Sequence, residues 1–162
     1  MKENKYKCPL TGKALLAIEQ GALRSVGYSL SDLISAGYSA SDLEEVEDII
    51  KNLPKLVNPY SQLWKEIQEK KRCHQQSTWG PEEEPKNNIC GKPMCTAGHL
   101  VNMSGKAGYE LKNKTSWRVA AELIHRKAHP DIPSQNFGSI QQELALEYIK
   151  QMAEYEESQK EQ

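Results

Sequence analysis

The chain lacks a long apolar run: nothing in its 162 residues approaches the roughly 20 that a membrane-spanning helix needs. Its opening stretch, M-K-E-N-K-Y-K, has no apolar centre of the kind a secretory signal carries, so the expected location is cytoplasmic. An excess of one charge is missing too. Twenty-one Lys and Arg against 22 Asp and Glu leave a net charge of −1, which removes the field that nucleic-acid or anionic-membrane binding would use. Phenylalanine occurs once, so bulk comes from seven Tyr and three Trp, whose tips are polar. There are four cysteines and no C-x-x-C pair; in a cytosolic chain these read as thiols or ligands, not as a disulfide framework. The hydrophobic share, 38%, is below the globular norm and suits helices with narrow apolar stripes.

What the sequence does have is helical punctuation. In the region 1–54, V-G-Y-S-L-S-D-L-I-S at 26–35 is followed ten residues later by A-G-Y-S-A-S-D-L-E-E. Ser29 with Asp32, and Ser39 with Asp42, have the spacing of a capping box. Tyr28 with Leu33, and Tyr38 with Leu43, have that of a hydrophobic staple. Each unit reads as one short helix, stopped by Gly and restarted by Ser, that must pack on neighbours to persist. Tyr28 and Tyr38 then line either a scaffold or a groove for a small ligand. The repeat resembles short G-Y-S-x-x-x-L helical units of assorted bacterial and phage proteins.

In the region 55–74, Asn58-Pro59 opens a helix with Tyr60, Leu63, Trp64 and Ile67 on one face. Lys70-Lys71-Arg72 is expected to complete its last turn, ahead of Cys73 and His74. Residues 75–89 are polar and Pro-containing, with acidic Glu82–Glu84, and read as an exposed loop anchored by Trp79. A helix is then expected from Pro93 through Met103, with Gly105 as its stop. Cys95 would sit in its first turn, His99 one turn on along the same face, and Cys90 just ahead. Gly98 between them would admit a close backbone approach.

This segment supports three chemistries. Cys90, Cys95 and His99, with Cys73 or His74 as a fourth donor, are the donor types of a zinc site, although C-x4-C-x3-H lacks the tight zinc knuckle. His125 and His129 form a second i,i+4 pair near a helix end. Alternatively, Cys90 or Cys95 is a nucleophile lowered in pKa by a helix N-terminus, with His74, His125 or His129 as base. The third reading is an ordinary core stripe of Cys95, His99 and Met103.

S-T-W-G at Ser77–Gly80, C-G at Cys90–Gly91 and C-T-A-G-H at Cys95–His99, followed by Ala120-Ala121, resemble a family of small uncharacterised bacterial and phage proteins. Those carry a C-G-x-x-x-C-x-A-G-[HW] segment. The resemblance spans Ser77–Ile124 and implies a shared core without an assigned activity.

In the remaining region, 90–158, Thr115-Ser116 opens a helix bearing Trp117, Ala120, Ala121, Leu123 and Ile124. The connection 105–114 reads as a turn or short strand. A final helix carries Ile140, Leu144, Tyr148 and Met152 in an i,i+4 row, widened by Ala145 and Ile149; its polar end from Glu154, and residues 159–162 above all, is expected to fray. The fold expected is all-α: a single domain of about six or seven helices. The function expected is that of a non-enzymatic protein that binds another protein, in the form of a phage-type inhibitor or regulator of a host protein. Its Cys/His cluster is structural and able to hold zinc, and the C-terminal helix offers a homodimer face. The rivals are a cysteine-nucleophile enzyme and a small-ligand protein.

Overall fold

The computed structural model describes residues 48–162, apart from Asn88 and Ser139. The Gly-Tyr-Ser repeats, with Tyr28 and Tyr38, lie outside those residues. The fold is mostly α-helical. Residues 48–52 are helical and end on buried Leu53 ahead of Pro54. Helix α1, Pro59–Gln68, starts from Asn58 in the left-handed conformation (φ 49°), with Pro at its first position. It buries Tyr60 and Leu63. Lys70 (φ 58°) turns the chain away, so Lys70-Lys71-Arg72 lies beyond the helix and does not complete its last turn.

Two short strands follow, β1 (Cys73–His74) and β2 (Pro93–Met94), paired in parallel with Cys73 opposite Pro93 and His74 opposite Met94. The expected helix from Pro93 is therefore shortened. Pro93 and Met94 are extended, and α2 runs Thr96–Met103. Gly105 (φ +61°) ends it as expected, but the chain goes straight on into α3, Gly105–Lys114, where a turn or strand was expected. Gly108 makes that possible: a Cβ there would stand 2.4 Å from the Val101 carbonyl oxygen, so α3 approaches α2 closely. Ser116 caps α4, Trp117–Ala128, by accepting the Val119 N–H.

The last helix, α5, is Gln142–Lys160. Its buried stripe is Ala145, Ile149, Met152, Ala153 and Glu156, one position round from the expected row. Leu144 is consequently 58% exposed. The polar stretch from Glu154 remains helical because Glu156 is drawn into the interior. Helix α5 packs along α1, while α2 packs on α4 and α3. One hydrophobic core joins Tyr60, Leu63, Leu100, Val101, Leu111, Ala120, Ala121, Ile124, Phe137 and Ile149. Each fully buried Leu or Ile contributes on the order of 1.5–3 kcal/mol. β2 thus runs directly into Cys95 and the start of α2, whose residues Thr96–Val101 are buried.

Candidate functional site

Cys95 is not in the first turn of α2 but immediately before it, as the N-cap (φ −74°, ψ 176°). Its sulfur accepts the Gly98 N–H at 3.4 Å, and its S–H points at the Trp79 carbonyl 3.9 Å away. A helix start normally uses a Ser, Thr, Asp or Asn oxygen for this. Burial pushes the Cys95 thiol pKa up, against the lowering effect of the nearby N–H groups of Gly98 and Ala97. That is the opposite of what nucleophilic activation requires.

Gly98 carries the close approach its sequence position suggested. A Cβ built on it would lie 1.6 Å from the Trp79 carbonyl oxygen. The T-W-G segment is laid across the start of α2, with the Cys95 N–H donating to the Thr78 carbonyl at 2.6 Å. Trp79 therefore anchors through its backbone; its side chain is 39% exposed.

His99 is buried, and both of its ring nitrogens are used. Nε2 lies 3.1 Å from the Cys73 carbonyl, which can only accept, so Nε2 carries the proton. Nδ1 then accepts from the Arg72 guanidinium at 3.3 Å. Burial first, then the adjacent Arg72 and His74, lowers the His99 pKa to about 3. Arg72 also donates to Asn102 Oδ1 at 2.9 Å and pairs with Glu66, tying α1 to α2. His74 repeats the pattern. The Gln142 amide Nε2 donates to its Nδ1 at 3.0 Å, and its own Nε2 faces Thr96 Oγ1 at 3.0 Å. Burial lowers the His74 pKa to about 4, and its ring stacks on that of His99 with centroids 6.0 Å apart.

A second polar network forms where α1, α4 and α5 meet. Glu156 on α5 is 1% exposed. One carboxylate oxygen accepts from the Tyr60 N–H at 3.2 Å and from His129 Nε2 at 2.7 Å; the other accepts the Ser61 N–H at 2.6 Å. A carboxylate from one helix thereby caps the N-terminus of another, the favourable sign for the helix dipole. Beside it the Tyr60 hydroxyl meets His125 Nδ1 at 2.6 Å, and His125 Nε2 donates to the Ile132 carbonyl at 2.8 Å. Burial lowers the pKa of His125 and raises that of Tyr60. Sequence reading located the two histidines but missed Glu156. Its one signal was position: it continues the spacing Ala145, Ile149, Met152, 156.

The expected zinc donors do not converge. Cys73 presents its carbonyl to His99 while its residue is exposed, and Cys90 is exposed beside the Lys70 carbonyl, 3.5 Å from its sulfur. Among the described residues no group of three or more His, Cys, Asp or Glu is placed to hold a metal ion. Also among them, no helix is long and apolar enough to cross a membrane. No family model matches the chain, and neither does any curated protein or solved structure.

Proposed function

We propose that the chain is a small non-enzymatic binding protein that meets another protein through the outward stripe of α5, with the Cys95–His99 segment as part of the scaffold. The observation that carries this is the placement of Leu144, 58% exposed, and Tyr155, 42% exposed. Eleven residues apart, they fall on one side of the helix about 17 Å from each other, with half-buried Tyr148 between them. Two large apolar side chains held in water along one line fit a partner that removes them from it. The chemistry of the Cys/His segment supports the same reading. Cys95 caps a helix as a thiol, and His74 and His99 are neutral rings with both nitrogens hydrogen-bonded.

A photo-crosslinking side chain introduced at position 144, and at exposed Lys150, a third of the way round the helix, as a control, tests the face in cells of the native source. The expected result is an adduct of defined mass at 144 that is absent at 150 and is lost when Tyr155→Glu is added. An adduct with a second copy identifies the partner as the chain itself. Equal labelling at 144 and 150, or none at 144, overturns the assignment.

A further inference from the structure

The acidic part of the loop expected to be exposed is strapped along α3 by Glu82 and Glu84, and what it covers is a built site. Lys112, in the last turn of α3, has a side chain only 7% exposed. Its ammonium stands over the Trp117 ring at 4.7 Å and near the Tyr109 ring at 5.9 Å. Those two rings meet edge to face, with centroids 5.9 Å apart. Two of its N–H bonds go to a single residue of the loop, the Glu82 carbonyl at 2.7 Å and the Glu82 carboxylate at 3.0 Å. The Glu82 side chain is 81% exposed, so it holds Lys112 from the outside. Two residues on, Glu84 Oε1 lies 3.6 Å from where a Cβ on Gly105 would stand, at the other end of α3. Tyr109 is 4% exposed, and its hydroxyl is buried beside Asn102, near Glu82, Glu84 and Arg72.

We propose that Lys112, Trp117 and Tyr109 form a recognition site for a glutamate within an acidic peptide segment, and that Glu82 occupies it as an internal ligand. Three features fix the chemistry. A desolvated ammonium between two aromatic rings must keep an acceptor, because leaving it unpaired is costly. The acceptors it holds are the carbonyl and carboxylate of one residue, which a replacement must supply together, as a glutamate within a peptide does. The ion pair is half in water, where such pairs contribute roughly 0–1 kcal/mol, so a competing peptide displaces the strap without dismantling the core. This surface is separate from the α5 stripe, and its assignment does not depend on that one.

The strap itself, supplied in trans, is the probe. Ac-Pro-Glu-Glu-Glu-Pro-NH2 is titrated into the full chain and into the Glu82→Ala/Glu84→Ala variant, while the Trp117 indole and Lys112 signals are followed by NMR. Ac-Pro-Gln-Gln-Gln-Pro-NH2 and free acetate at matched carboxylate concentration serve as comparisons. The expected result is saturable movement of both signals, with about two- to fivefold tighter binding to the variant than to the unaltered chain, because Glu82→Ala removes the carboxylate and keeps the backbone carbonyl. The glutamine peptide and acetate leave the signals in place. Lys112→Met in the variant background abolishes the response, and Lys112→Arg retains it. Equal affinity of variant and unaltered chain, a response to the glutamine peptide, acetate matching the acidic peptide, or no response at millimolar peptide overturns the proposal. The comparison of the two peptides stands even if Lys112→Met does not fold.

Discussion

A single hydrogen atom decides the geometry at Gly98. Where any other residue has a Cβ, the Trp79 carbonyl oxygen stands 1.6 Å away, so the T-W-G crossing and an alanine cannot coexist without moving backbone. Gly98→Ala should cost about 3 kcal/mol or more, since neither partner is a flexible side-chain end. Gly91 makes a useful contrast. It has φ +79° with nothing within 4 Å of where a Cβ would stand, so Gly91→Ala should cost only the left-handed strain, about 1–2 kcal/mol. Urea denaturation of the two variants measures both. Comparable losses would mean that the Trp79 segment yields readily and is not pinned on α2. The same crossing explains why the Cys95 sulfur serves as a helix cap: it sits, buried, between the Gly98 N–H and the Trp79 carbonyl.

At the scale of elements, the decisive contact is the capping of α1 by Glu156 of α5. Three donors converge on that buried carboxylate. Glu156→Gln keeps the shape but turns an N–H2 toward backbone N–H groups, leaving donors facing donors. It should cost about 2–4 kcal/mol, and Glu156→Ala at least as much. Glu154→Gln, on the exposed side of the same turn, should change stability by less than about 0.5 kcal/mol. Thermal melts compare them, and equal effects at 154 and 156 would show that the carboxylate does not cap α1. This element also marks where sequence reading stops. Asn58-Pro59 and Ser116 announced their helices because capping and proline chemistry are local. Helix α3 was missed because its inward residues are Gly108, Tyr109, Leu111 and Lys112, which form no apolar stripe. Glu156 was read as tail because a buried carboxylate runs against the hydrophobic pattern, and only a tertiary partner makes it legible. Cys95 and His99 were recognised as the centre of their segment, but their roles come from the Trp79 carbonyl and Arg72, which sequence spacing cannot bring together.

For the molecule as a whole, the histidines set the acid limit of stability. His74, His99 and His125 each have a folded pKa lowered by burial, to about 4 for His74 and about 3 for His99. In the unfolded chain each takes a proton near pH 6.5. The unfolded state therefore binds more protons below that pH, and stability rises with pH up to about 6.5 and levels off above it. Each of the three contributes up to roughly 1.4 kcal/mol per pH unit between its unfolded and folded pKa. Glu66, whose pKa is lowered by its hydrogen bonds to Gln62 and Arg72 against its partial desolvation, works in the same direction lower down, losing its contribution as pH falls below the ordinary carboxylate range. Protonating His99 would also set it against the Arg72 guanidinium that now donates to its Nδ1, and against His74 stacked on it. The α1–α2 tie and the β1–β2 pair should then fail together. Urea midpoints at constant ionic strength should be level between pH 8 and 7 and fall steeply from pH 6.5 to 5. His99→Gln should flatten the fall, because a glutamine amide can still donate to the Cys73 carbonyl and has no proton to gain. A profile level down to pH 5 would mean that these rings reach water in the folded state, and would remove them from the interior that the rest of the fold is built around.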